Sequence, residues 1–130
     1  MSSVKDIGRK EKLVVANPHE TVLDVVKKMY RHNVGSVLIL DSSGKLAGIF
    51  TERDLVKLVA EGKPLTLPVE SVMSRNPIVA REDDPIPLVG SKMIEHWVRH
   101  IPIVDSEGRP IGIVSIRDVL RRLLSTSSFP

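Results

Sequence analysis

Two short strings carry residue types from which a binding site can be built. GIFTERDL occupies residues 48–55 and GIVSIRDV occupies residues 112–119. Each reads glycine, two apolar residues, a hydroxyl, two variable positions and aspartate. A hydroxyl followed three residues later by an acid satisfies the first amides of a helix, so each string is also a capping box. The same string joins a helix start, which favours an anion, to a carboxylate able to accept from vicinal hydroxyls, as an acidic residue does with ribose. The glycine, 48 or 112, lets the backbone come close to a neighbour. Hydroxyl and helix start for phosphate, with aspartate for ribose, point to a nucleoside phosphate. For either string alone, the capping box is the structural alternative.

The elements that must hold these strings repeat. A shift of 64 residues superposes Val15 on Val79, Met29 on Met93, His32 on His96, Asp41 on Asp105, Gly44 on Gly108 and Arg53-Asp54 on Arg117-Asp118. About a third of positions 14–58 match their partners without a gap, which reads as a duplication. In the first copy, 13–16 is a short β-branched strand. Residues 21–33 place Val22, Val25, Val26 and Met29 on one helical face. SVLIL (36–40) reads as a buried strand; residues 41–44 form a turn; Leu46 to Thr51 completes a hairpin, and a helix runs on to Gly62. The second copy places a strand at 77–80, a helix at 86–97, strands at 100–104 and 110–115, and a helix at 116–124. The expected fold is α+β, with the order β-α-β-β-α twice. Residues 1–64 form the first repeat with a lead-in, 65–124 the second, and 125–130 a tail. Helical pieces at 4–10 and 69–74 precede the two repeats.

Composition narrows the function. Hydrophobic residues make up 42% of the 130 and charged residues 27%, which is a folding composition. There is no cysteine, so disulfides and thiol chemistry are excluded. No apolar stretch approaches the roughly 20 residues that span a bilayer, and no secretory signal is read at the start; a cytoplasmic protein is expected. The net charge is +3 and only 3% of residues are aromatic, which disfavours a nucleic-acid stacking platform. His96 and His100 are four apart with no third ligand, so no metal is expected. Trp97 is read as a core or dimer contact. Neither a phosphate-binding glycine loop nor a nucleophile elbow is present, so an enzyme is not expected.

Taken together, VMSRNPIVA (72–80), RHIPIVDSEGRPIGIVSIRDVL (99–120) and VGSVLILDSSGKLAGIFTERDL (34–55) resemble a tandem pair of CBS (cystathionine β-synthase) domains, a Bateman module, here as a stand-alone protein. The resemblance implies two repeats related by pseudo-two-fold symmetry, two clefts, and a homodimer. It implies AMP, ADP or ATP as a regulatory ligand, or S-adenosylmethionine, with no required cofactor. In the first cleft it assigns Thr51 to phosphate or ribose, Asp54 to the ribose and Ile49 to the base. Met73, Asn76, Ile78, Val98, Arg99 and His100 would form the opposite wall, with Arg53 near the phosphate. In the second, Ser115, Asp118 and Ile113 take those roles opposite Val14, Val34, Gly35 and Ser36, with Arg9 and Lys12 as added cations. Arg99 and His100 favour the first cleft for a polyphosphate. The competing expectation is a protein-interaction or nucleic-acid-associated scaffold with empty clefts. In either case an effector partner, which the sequence does not name, would carry the output.

Overall fold

The computed structural model describes residues 2–125; of the expected tail, 126–130 lie outside them. The chain divides into two compact units that cut across the sequence repeats. One is Lys12–Pro77; the other joins the lead-in up to Glu11 to the chain from Ile78 onward.

In the unit Lys12–Pro77 the elements are β1 (Val15–Ala16), α1 (Val22–His32), β2 (Ser36–Leu40), β3 (Leu46–Thr51), α2 (Glu52–Ala60) and β4 (Ser74–Arg75), with a 3-10 turn at Val69–Ser71. The sheet order is β1-β2-β3-β4. β1 runs parallel to β2, and β2, β3 and β4 are antiparallel neighbours. Strand alternation turns Val37, Ile39 and Phe50 toward the core with Val22, Val25 and Met29 of α1, Leu58 of α2 and Val69 of the turn.

The other unit holds a 3-10 turn at Val4–Asp6, then β5 (Ala80–Arg81), α3 (Ile86–His96), β6 (His100–Val104), β7 (Pro110–Ser115) and α4 (Ile116–Ser125). Its sheet order is β5-β6-β7. Val4, Ala80, Ile86, Val89, Met93, Ile101, Ile103, Val114 and Val119 form its core.

The hairpin strands fall where alternation and turn chemistry place them. Asp41 Oδ1 accepts from the Ser43 and Lys45 amides at 2.8 and 3.0 Å, and Asp105 Oδ1 does the same for Glu107 and Arg109. Gly44 and Gly108 take φ of 79° and 82°, left-handed values that a side chain disfavours. Other boundaries are shorter than expected. The strand at 13–16 keeps only Val15–Ala16, and the second repeat's first strand is Ala80–Arg81 rather than 77–80. The helical pieces at 4–10 and 69–74 shrink to single 3-10 turns. Trp97 lies in neither core: it ends α3 in a left-handed conformation, φ 55°, and is 81% exposed.

The lead-ins dock in matching ways. Val4 N–H donates to the Asp84 carbonyl at 2.9 Å and Val69 N–H to the Glu20 carbonyl at 2.8 Å. Ser3 bridges Pro85, as Pro68 bridges Thr21. Val4 and Val69 are both fully buried. Each short apolar lead-in thus completes a core that its neighbouring helix cannot close alone.

Candidate functional site

The two repeated strings fold identically. In the first, Thr51 caps α2 with extended backbone, φ −120° and ψ 169°. Its Oγ1 accepts from the Asp54 amide at 3.3 Å and donates to Asp54 Oδ2 at 3.1 Å. Asp54 Oδ2 also accepts from the Thr51 amide at 2.9 Å. In the second, the Ser115 amide and hydroxyl donate to Asp118 Oδ2 at 2.8 and 2.9 Å, and the Asp118 amide donates to Ser115 Oγ at 3.2 Å. Both strings are therefore formed capping boxes.

These helix starts are less open than the strings imply. Glu52 N–H donates to the Gly35 carbonyl at 3.1 Å, and Ile116 N–H to the Arg99 carbonyl at 2.8 Å. With the amides of Thr51, Glu52 and Asp54 bonded, the carboxylate edge is open to recognition and a continuous row of amides is not. The close approach at Gly48 has a partner within the protein as well. A Cβ there would lie 2.6 Å from Met73 Sδ and 2.8 Å from the Ser74 carbonyl oxygen, so the glycine admits β4. Gly112 faces only ordinary contacts, at 3.7 and 3.9 Å.

Around Asp54, the unit Lys12–Pro77 gathers Ile49, Thr51, Gly35, Ser36 and Met73. Ser36 pairs with Thr51, and Ile49 with both Leu38 and Ser74. Ile49 is 6% exposed, Met73 9% and Ser36 3%. Val14 belongs to this unit's core and Val34 packs against it. Arg53 is exposed on α2, and Asn76 is exposed with φ of 50°. Lys12 reaches the Asn33 carbonyl at 3.3 Å, where a lysine satisfies the last turn of α1.

Around Asp118, the other unit gathers Ser115, Ile113, His100 and Arg99. His100 pairs with Ser115, and Pro102 with Ile113. Ile78 and Val98 pack against this unit's core, and Arg99 is exposed. The residues that the resemblance assigns to one cleft are thus drawn from both compact units.

The two aspartates differ. Asp118 is 7% exposed, and its Oδ1 lies 3.0 Å from Arg9 Nε and 3.6 Å from an Arg121 guanidinium nitrogen. Asp54 is half-buried, and no lysine or arginine of its own unit forms an ion pair with it among the described residues. The sequence names Arg9 as a cation for the second site, yet the register of its lead-in is not legible there. The helical reading of 4–10 hides the extended segment that delivers it. Among the described residues, no three His, Asp or Glu side chains converge as a metal site. No helix among them is long and apolar enough to cross a membrane.

Comparison with known proteins matches this geometry. A family model described as CBS domain matches residues 4–61 and again 69–125. A 17.7 kDa protein of Acidianus ambivalens is 39% identical over 113 residues, 87% of this chain and 68% of its own length. The chain spans less of other curated relatives, 61% of one and 22% of another. The CBS domain pair of protein MJ0100, solved with 5′-methylthioadenosine and S-adenosylmethionine, superposes with a TM-score of 0.90 at 33% identity, covering 98% of this chain and 99% of that one. CBSX2, solved with AMP, superposes with a TM-score of 0.85 at 25% identity over 97% of this chain and 98% of its own. This chain belongs to the CBS domain family and carries two copies of the domain.

Proposed function

We propose that this protein is a non-catalytic regulatory module that binds an adenine nucleotide, AMP, ADP or ATP, with Asp54 as the ribose acceptor. The observation that carries this reading is the Asp54 carboxylate. Its bonds among the described residues run through Oδ2 to Thr51, so Thr51 orients it while its other oxygen remains an acceptor for a diol. A charge-assisted hydrogen bond contributes about 1.5–3 kcal/mol. Loss of that acceptor therefore weakens binding roughly 10- to 100-fold. The AMP held by CBSX2 supports the same ligand class.

S-Adenosylmethionine is the second reading, favoured by the ligands of the MJ0100 pair. It shares adenine and ribose with AMP but lacks phosphate, so it would use the same acceptor. A homodimer belongs to the proposal too. α2 exposes Val56 and Val59, at 68% and 61%, and α4 exposes Leu120 and Leu124, at 48% and 57%. Val56 and Leu120 are matched positions of the repeat, and such apolar stripes favour a partner surface.

A thermal-shift panel tests the ligand class, because a ligand at free concentration c that binds only the folded state stabilises it by RT ln(1 + c/Kd) and so raises Tm. AMP, ADP, ATP and S-adenosylmethionine are compared with guanosine and inorganic phosphate. Stabilisation by the adenosine compounds alone is expected. No shift with any of them contradicts the reading and favours an interaction scaffold.

A further inference from the structure

We propose that Arg9 closes the second aspartate to ribose, so that the chain takes up one nucleotide at Asp54 rather than two. This inference rests on the nucleotide reading above. The repeat supplies its internal control. Val4 and Val69 hold matching places, and counting five residues on from each gives Arg9 and Ser74. Arg9 bonds Ile113 through its amide and carbonyl, at 2.8 and 3.3 Å. Ser74 pairs with Ile49, which is Ile113 shifted by 64. The same backbone place therefore carries a guanidinium beside Asp118 and a short hydroxyl beside Ile49 in Asp54's unit.

The consequence follows from counting acceptors. Asp118 Oδ2 takes the Ser115 amide and hydroxyl, as Asp54 Oδ2 takes those of Thr51. Oδ1 is the edge a diol would need. At Asp118 that edge holds Arg9 Nε at 3.0 Å, with Arg121 at 3.6 Å, on a side chain only 7% exposed. A neutral diol would have to replace a charged donor on a carboxylate that is itself buried, giving up a charge-assisted bond that a neutral hydroxyl does not match. At Asp54 no lysine or arginine of its own unit stands in the way among the described residues. The nearer of the two cations comes from the lead-in and not from the repeated string, whose hydroxyl and aspartate recur in both halves.

The test is calorimetric titration of AMP, and of S-adenosylmethionine in parallel, into the full chain and its variants. Wild type is expected to bind one ligand per chain, lost in Asp54→Ala. Arg9→Ser, which copies Ser74, is expected to bind two, the second disappearing in Arg9→Ser combined with Asp118→Ala. Ser74→Arg leaves the Arg9–Asp118 pair intact and is expected to weaken binding on the order of 10-fold or more. It decides the matter if Arg9→Ser does not fold. Two ligands per wild-type chain overturn the inference while leaving the nucleotide reading in place. So does a folded Arg9→Ser that still binds one, or a Ser74→Arg that binds as wild type does. Absence of binding in every variant removes the nucleotide reading, and this inference with it.

Discussion

Replacing Gly48 by alanine separates the two halves of the repeat on physical grounds. The added methyl would stand 2.6 Å from Met73 Sδ and 2.8 Å from the Ser74 carbonyl oxygen. The thioether can swing aside, but the carbonyl belongs to β4, which pairs with β3 through Gly48 and Ile49. Relief therefore means moving a backbone strand. Overpacking of this kind costs about 1–3 kcal/mol. At Gly112 the nearest atoms are 3.7 and 3.9 Å away, so a methyl fits. Neither glycine has a positive φ, so alanine restricts the unfolded chain without straining the native one. Gly112→Ala is then expected to be neutral or stabilising by roughly 0.4–1 kcal/mol. For a chain of this size 1 kcal/mol moves Tm by roughly 3–5 °C. Thermal and urea unfolding of both variants reads the difference, with Gly48→Ala lower in Tm by several degrees and Gly112→Ala unchanged or higher. Equal destabilisation at both positions, or none at Gly48, refutes the assignment of Gly48 to the β3–β4 approach.

Other substitutions probe the rest of the structure. Val4→Ala and Val69→Ala should each lower stability by about 2 kcal/mol, measured by urea unfolding; a neutral result at either contradicts the docking of that lead-in. Thr51→Ala and Ser115→Ala should each cost about 1 kcal/mol through the lost caps, by the same assay. Arg9→Ser removes the nearer cation from a buried carboxylate that keeps Arg121 and Ser115 and should cost on the order of 1–3 kcal/mol, whereas Ser74→Ala should stay within roughly 0.5 kcal/mol. Val56→Asp combined with Leu120→Glu places charge on the proposed dimer faces and should yield a monomer by light scattering at concentrations where wild type is a dimer.

Much of this fold is legible in the residues. Strands at 36–40, 46–51, 100–104 and 110–115 stand where apolar runs meet Asp-x-x-Gly turns, because the turn needs the Asx bonds and a left-handed glycine at fixed spacing. The helices α1 and α3 follow from Val25/Val89 and Met29/Met93 at helical spacing. The exchange of lead-ins is not legible. The body of the repeat superposes at 64 residues while Val4 and Val69 differ by 65. A seven-residue segment with one identity gives no register. The tertiary partner, not local propensity, makes residues 74–75 a strand edge and brings Arg9 alongside Ile113. Trp97, read as a core or dimer contact, lies outside both cores and occupies the left-handed helix end that Asn33 fills in the first repeat. The Thr-x-x-Asp and Ser-x-x-Asp boxes are visible as patterns. Which of the two aspartates keeps a free edge depends on a residue more than a hundred positions from Asp118.

Calorimetric titration of AMP into the purified chain, beside Asp54→Ala, tests the central claim most directly. Saturable binding in the wild type, weakened about 10- to 100-fold in the variant, is the predicted result. AMP binding of equal affinity in both proteins, or no binding of AMP, ADP, ATP or S-adenosylmethionine to either, would contradict it.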